Sequence, residues 1–176
     1  MPGNAFVQFK TQDGKMAAGE SQQVGHDGLS GWIEISDWSF DVEAEASHLK
    51  GTGAAVGKPT FGALSMTHYY DRSSPVIMQY IVKGNHFKAV TLHLLKQTGG
   101  EKPELFFELI LQDAFITKVS NKGGEDGAVT QDVEMVYKQI VTAYKQQDNN
   151  GKLLVTKPWG WNVATMSDKT DIKPSI

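Results

Sequence analysis

The sequence predicts a mainly β fold: a compact β-barrel of two packed antiparallel sheets, one short α-helix from about Pro75 to Lys83, and an extended loop from about Ala46 to Pro59. Three observations carry this. Apolar and polar residues alternate with a period of two through much of the chain. Clusters of Gly, Asn and Asp punctuate the alternating runs. The best helical signal is one short stretch, and strands with a single helix pack as a barrel or sandwich with the helix against it. A barrel also removes strand edges that would otherwise invite pairing, and edges that remain can become an interface between copies.

At 176 residues the chain fits one domain with room for a core. A hydrophobic share of 40% and a charged share of 21% suit a soluble globular protein, and a net charge of −3 gives nucleic-acid binding little support. With no cysteine, disulfides, thiolate metal sites and cysteine nucleophiles are excluded. The opening MPGNAFVQFK lacks a basic segment followed by an apolar core, so no Sec signal is expected, and no run is long enough for a membrane span.

Ala5 to Lys10 reads as the first strand, and Thr11 to Ser30 as an irregular polar connection. Trp32 to Ile35 is a second strand, and Asp37 marks a bend. Beyond it Phe40, Val42, Ala44 and Ala46 alternate with Asp41, Glu43 and Glu45, the pattern of a half-buried strand with one acidic face. Alternation resumes through Phe61, Leu64, Met66, His68 and Tyr70. Ser74 is placed to cap the helix and Pro75 to open it. Val76, Ile77, Tyr80 and Ile81 form its apolar stripe, and Gly84 stops it. Val90, Leu92 and Leu94, then Leu105, Phe107, Leu109 and Leu111, are further alternating sets. Phe106 and Ile110 make the second strand apolar on both faces. Val129 to Lys145 is long and alternating with an irregularity after Tyr137; a helix is its rival reading, and β-branched and aromatic content favours strand. Asp148 to Gly151 is a hairpin turn with a partner strand from Lys152 to Thr156. Lys157 to Ile176, with Trp159 and Trp161, reads as an irregular tail.

Candidate chemistry is sparse. The run GTGAAVGKP has five residues between Gly51 and Gly57 where a P-loop has four, and Lys58 is followed by Pro59 instead of Ser or Thr. None of His26, His48, His68, His86 and His93 pairs at a metal-ligand spacing, so no metal and no cofactor are expected. Asp41, Glu43 and Glu45 read as a solvated or interface face. Ser73 and Ser74 lack a nucleophile-elbow context, and no catalytic residues are expected. Trp159 and Trp161 read as core or interface anchors. The glycine-rich loop reads instead as a docking arm between copies. Its apolar contacts are Leu49, Ala54, Ala55 and Val56, its rim charges Lys50 and Lys58, and Gly51, Thr52, Gly53 and Gly57 supply the freedom to order on docking.

Taken in order, FVQFK, GWIEISDWSFDVEAE, GKPTFGALSMTHYYDRSSP, GNHFKAVTLHLLKQTGG, the YKQIVTAYKQQDNNGK hairpin and the tail with its tryptophan pair resemble the haemolysin-coregulated (Hcp) proteins of type VI secretion. The resemblance covers most of the chain, with Ala5-Phe6 where the family more often has an isoleucine-tyrosine opening. It implies a structural, non-enzymatic subunit that forms homo-hexameric rings stacked head to tail into a tube. Sheath, spike and baseplate proteins are the implied partners, together with effector proteins carried in the lumen. It further implies residence in the cytoplasm before firing and export by the type VI route, with the loop in ring-to-ring and subunit contact. A small β-barrel module that binds a ligand in its interior is the alternative.

Overall fold

The computed structural model describes residues 4–22, 31–48 and 54–176. In chain order its elements are β1 (Ala5–Lys10), β2 (Met16–Ala17), β3 (Ile33–Ser39), β4 (Val42–His48), β5 (Ala54–Phe61), β6 (Leu64–Tyr69), α1 (Ser74–Lys83), β7 (His86–Lys96), β8 (Glu104–Gly123), β9 (Val129–Val136), β10 (Gln139–Gln147), β11 (Leu153–Val155) and β12 (Trp159–Asn162). All pairings are antiparallel, and they close: β1 pairs with β3 and β7, β3 with β6, β6 with β9, and β8 with both β9 and β7. The two expected layers are halves of one continuous sheet. β8 joins them: it pairs with β7 up to Phe115, then with β9 out to Gly123. Asp113, a non-glycine residue at φ 51°, lies just before this changeover, and the β8–β9 ladder has a register shift between Ile116 and Lys118, a bulge at the barrel corner. β10 flanks β8 and carries β11 and β12 on its far side.

Alternation explains the core. Leu64, Met66 and His68 on β6 point inward and Ser65 and Thr67 are half-exposed. Val133, Met135 and Tyr137 are buried as the period predicts, and the irregularity after Tyr137 separates β9 from β10, where both Ile140 and Val141 are buried. The interior is filled with side chains: Phe9, Ile33, Leu64, Met66, Phe87, Leu92 and Leu109 are each at most 1% exposed. Helix α1 closes one side of this core. Ile77 is fully buried, while Val76, Tyr80 and Ile81 pack half-exposed on the core. Tyr80 lies flat on Phe87 with ring centroids 4.1 Å apart. Gly84 ends the helix at φ 68°, its N–H donating to the Ile81 carbonyl.

Several expectations are corrected. Ser73, not Ser74, occupies the N-cap position and makes no side-chain cap bond. Asp71 takes the polar groups there: its carboxylate accepts from the Ser73 N–H and hydroxyl, and its own N–H donates to Ser74 Oγ at 3.0 Å. A local carboxylate outcompetes the helix for these donors. The connection after β1 contains β2, and the bend at Asp37 is a bulge within β3, between Ile35 and Asp37. The tail is not wholly irregular, because β12 pairs along β10 from Gln139 to Thr142. The stretch from Ala46 to Pro59 is strand-paired where it is described: β4 and β5 form a two-stranded ribbon of their own.

Candidate docking ribbon and clamped tail

The ribbon is built from sequence that would suit a half-buried strand, yet it is not buried. Val42 lies across from Phe61, Glu43 from Thr60 and Ala44 from Pro59, with a register shift between Ala44 and Ala46. Residues 41–44 are all exposed, Val42 by 44%, and Gly57 and Lys58 are exposed on the returning strand. The half-buried strand expected from the alternation is therefore corrected within a single chain. The apolar positions are present, but the barrel supplies no surface to cover them. Of the expected contact residues, Ala54, Ala55, Val56, Gly57 and Lys58 fall on β5, and Leu49, Lys50, Gly51, Thr52 and Gly53 lie outside the described residues.

The base of the ribbon is held firmly. The Gly62 N–H donates to the Asp41 carbonyl at 2.8 Å, which closes the two strands. A Cβ at Gly62 would collide with the Asp41 carboxylate, so glycine permits this close approach. The Tyr137 hydroxyl donates to the Gly62 carbonyl at 3.1 Å and ties the ribbon to the end of β9. Burial, with the charge of Asp41, pushes the Tyr137 phenol up to about 12, so it stays protonated as a donor. Phe61 stacks on both tail indoles, with centroids 6.2 Å from Trp159 and 6.0 Å from Trp161. The tryptophan pair thus anchors the root of the ribbon.

The comparisons with known proteins agree with this architecture. The sequence profile of the family described as "Type VI secretion system effector, Hcp" matches residues 6–144. The chain belongs to the Hcp family. It is 29% identical to protein hcp1 of Pseudomonas aeruginosa over 134 residues, covering 74% of this chain and 82% of that one. Among solved structures, one described as a type six secretion system protein superposes with a TM-score of 0.81 at 23% identity, covering 94% of this chain and 98% of the other. Hcp1 of Salmonella typhimurium superposes at 0.70 with 23% identity, covering 94% and 99%. The chain is therefore a structural protein of type VI secretion.

Other candidate residues of this Hcp chain fall into separate, bonded settings. His68 is buried with Nε2 2.8 Å from Gln131 Oε1, and His86 stacks on Phe115 with Nε2 3.7 Å from Asp113. The side chains of His26 and His48 lie outside the described residues. Among the described residues no group of three or more His, Asp or Glu is placed to hold a metal. Ser73 and Ser74 are fully buried and bonded to Asp71 in the turn that opens α1, the Ser73 hydroxyl donating to its carboxylate and the Ser74 hydroxyl accepting from its N–H.

Sequence reasoning missed the seat of the tail. Glu108 is 2% exposed on the outer face of β8. Its carboxylate accepts from His93 Nε2 at 2.6 Å and from the Ser175 N–H at 2.6 Å, and Ser175 Oγ–H donates to it as well. Upstream, the Asp171 N–H donates to Gln139 Oε1 at 2.9 Å. Ile176 packs on Phe6, Trp32, Leu95 and Leu105. The tail therefore crosses the sheet from β10 over β8 to β1 as a strap. Ser, His and Glu meet here in the wrong order for catalysis: both Ser and His bond the carboxylate, so the imidazole does not activate the hydroxyl. A signal was available, since a lone glutamate in LFFELIL, a strand apolar on both faces, must find partners.

Burial opposes ionisation of Glu108, but the hydrogen bonds from His93 and Ser175 outweigh it and hold the carboxyl below the usual glutamate range. A depressed folded value contributes stability above the unfolded value and loses it as pH falls through the folded one. Glu108→Gln is expected to destabilise the chain by about 1–3 kcal/mol at neutral pH. The gap to the parent should narrow as the pH falls below about 4. Urea melts at neutral and acid pH check this; a gap independent of pH would contradict it.

Proposed function

We propose that this chain is the repeating subunit of a type VI secretion tube: about six copies close into a ring, and rings stack through the β4–β5 ribbon. The observation that carries the reading is the ribbon itself. A two-stranded hairpin alone is marginal in water, and this one projects from the barrel with apolar Val42 exposed. Family membership and an exposed, firmly rooted arm together support docking onto another copy. Leu49, Ala54, Ala55 and Val56 supply apolar contacts, and Lys50 and Lys58 meet acidic groups at the rim. In this reading the chain folds as one Hcp-like unit. It resides in the cytoplasm before firing and leaves by the type VI route with sheath, spike and baseplate proteins. The lumen between copies carries effector proteins, and the chain needs no metal, cofactor or catalytic group.

The filled interior weighs against the ligand-binding alternative, because a barrel that holds a ligand needs a cavity of roughly 300 Å³ or more inside it. Among the described residues the larger hollows are open surface clefts, such as that bounded by Glu20, Glu34, Tyr69 and Tyr70. A lumen must then form between copies. Negative-stain electron microscopy of the purified chain tests the reading: rings with a central hole, and end-on stacks at high concentration, are expected. Featureless particles of single-chain size would contradict it.

A further inference from the structure

The tail strap is held by the sheet without joining it. Among the described residues no main-chain hydrogen bond ties residues 168–176 to a strand. Side chains of the sheet hold it instead. Gln139, buried on β10, accepts from the Asp171 N–H at 2.9 Å, and Glu108, buried on β8, accepts from the Ser175 N–H at 2.6 Å. Gln139 lies opposite Gln112, which is four residues along β8 from Glu108. Four extended residues span about 13 Å, so the strap runs nearly straight between its two anchors. Its sequence favours that shape: Pro174 fixes its own φ and biases Lys173 towards extended backbone. Ile172, Pro174 and Ile176 are half-buried and alternate with exposed Asp171, Lys173 and Ser175.

The surface beneath is shaped for such a segment. Phe6, Trp32, Leu95 and Leu105 form a small apolar cluster apart from the main core, and Ile176 packs on it. The Trp32 and His93 rings lie 4.6 Å apart beside it, and His93 Nε2 donates to Glu108. Glu108 thus takes both the N–H and the hydroxyl of Ser175, while the cluster takes the aliphatic residue that follows. Main-chain hydrogen bonds combined with seats for particular side chains are the means by which grooves bind extended peptides. None of the ladders that close the barrel includes residues 168–176, so the strap can leave with the barrel intact. We propose that the face beneath the strap is a binding groove for extended peptides, and that residues 171–176 block it in cis. Its ligand is a segment of the strap's own chemistry: an aliphatic residue, a proline, a hydroxyl residue that donates to Glu108, and a second aliphatic residue. The groove lies within one chain and does not depend on stacking. Proximity favours the cis segment, so a free peptide enters only where the strap is unseated.

The probe is a fluorescein-labelled peptide of residues 168–176, DKTDIKPSI, followed by fluorescence anisotropy. In the full-length chain, Ser175→Pro with Ile176→Asp removes both strap donors to Glu108 and the apolar plug. This unseated variant should bind the peptide saturably and about tenfold or more tightly than the parent, whose groove is open in only a small fraction of molecules. Adding Glu108→Ala to the unseated variant, or Ser175→Ala to the peptide, should weaken binding severalfold. Equal binding to parent and unseated variant, or none to a variant that keeps the parent's circular dichroism, overturns the groove. Hydrogen exchange of the parent chain, read by mass spectrometry, gives a second measurement that needs no variant. Amides of residues 168–176 should exchange together and much faster than those of β7 and β8. Exchange as slow as that of these strands overturns the proposal, because the strap would then leave only when the barrel unfolds.

Discussion

Replacing residues 51–57 by a short Gly-Ser link is expected to leave a folded barrel that no longer builds tubes. The ribbon pairs with itself as a separate two-stranded sheet, so the ladders that close the barrel are untouched. Its root stays in place, because Phe61, Gly62, Tyr137 and the two tryptophans lie outside the replaced stretch. A change of loop length alters closure entropy by only about 0.6 kcal/mol per doubling, so the melting temperature should move by a few degrees at most. Ring mass should persist and tube length should collapse, since the apolar contacts Ala54, Ala55 and Val56 are gone and Leu49, Lys50 and Lys58 lose the arm that presents them. Tubes of unchanged length would mean that the segment is only a linker. Loss of folding would mean that it belongs to the barrel.

The largest effect on stability is expected at Ile77. This side chain is fully buried where α1 closes the core, beside the stacked pair of Tyr80 and Phe87. Ile77→Asp removes the helix's most buried contact and places a carboxylate among apolar groups, at a cost of about 4 kcal/mol or more. For a chain of this size that lowers the melting temperature by on the order of 10 °C, or abolishes folding. Val82→Asp is the control, because its side chain is largely in solvent and should melt within about a degree or two of the parent. Equal melting of the Ile77 and Val82 variants would show that the stripe does not hold the helix.

The barrel was legible because its signal is periodic. Burial alternates along β6 and β9 as the apolar residues do, and the stripe of Val76, Ile77, Tyr80 and Ile81 is the face that packs. What escaped depends on contacts between distant residues. Nothing in WGWN says that it pairs with β10, and nothing local says that Phe61 stacks on Trp159 and Trp161. The glycine run suggested a loop; the two strands that flank it pair over most of their length, which period alone could not distinguish from irregular chain. The ribbon misled in an instructive way. Alternation of Val42 and Ala44 with Glu43 predicts a face to be covered, and burial within one chain was the simplest cover. The structure leaves that face in solvent, and the same pattern then points to a neighbouring copy. Glu108 shows the converse: a single acid in an apolar strand could be recognised as needing partners, but not that they are His93 and a residue of the tail.

The central claim is that one chain is an incomplete unit whose exposed arm is satisfied by other copies. Light scattering on the purified full chain, after size exclusion at micromolar concentration, tests it most directly. A sharp species of about six chain masses, with larger multiples appearing as concentration rises, is the predicted result. A single-chain mass across the same range would contradict it.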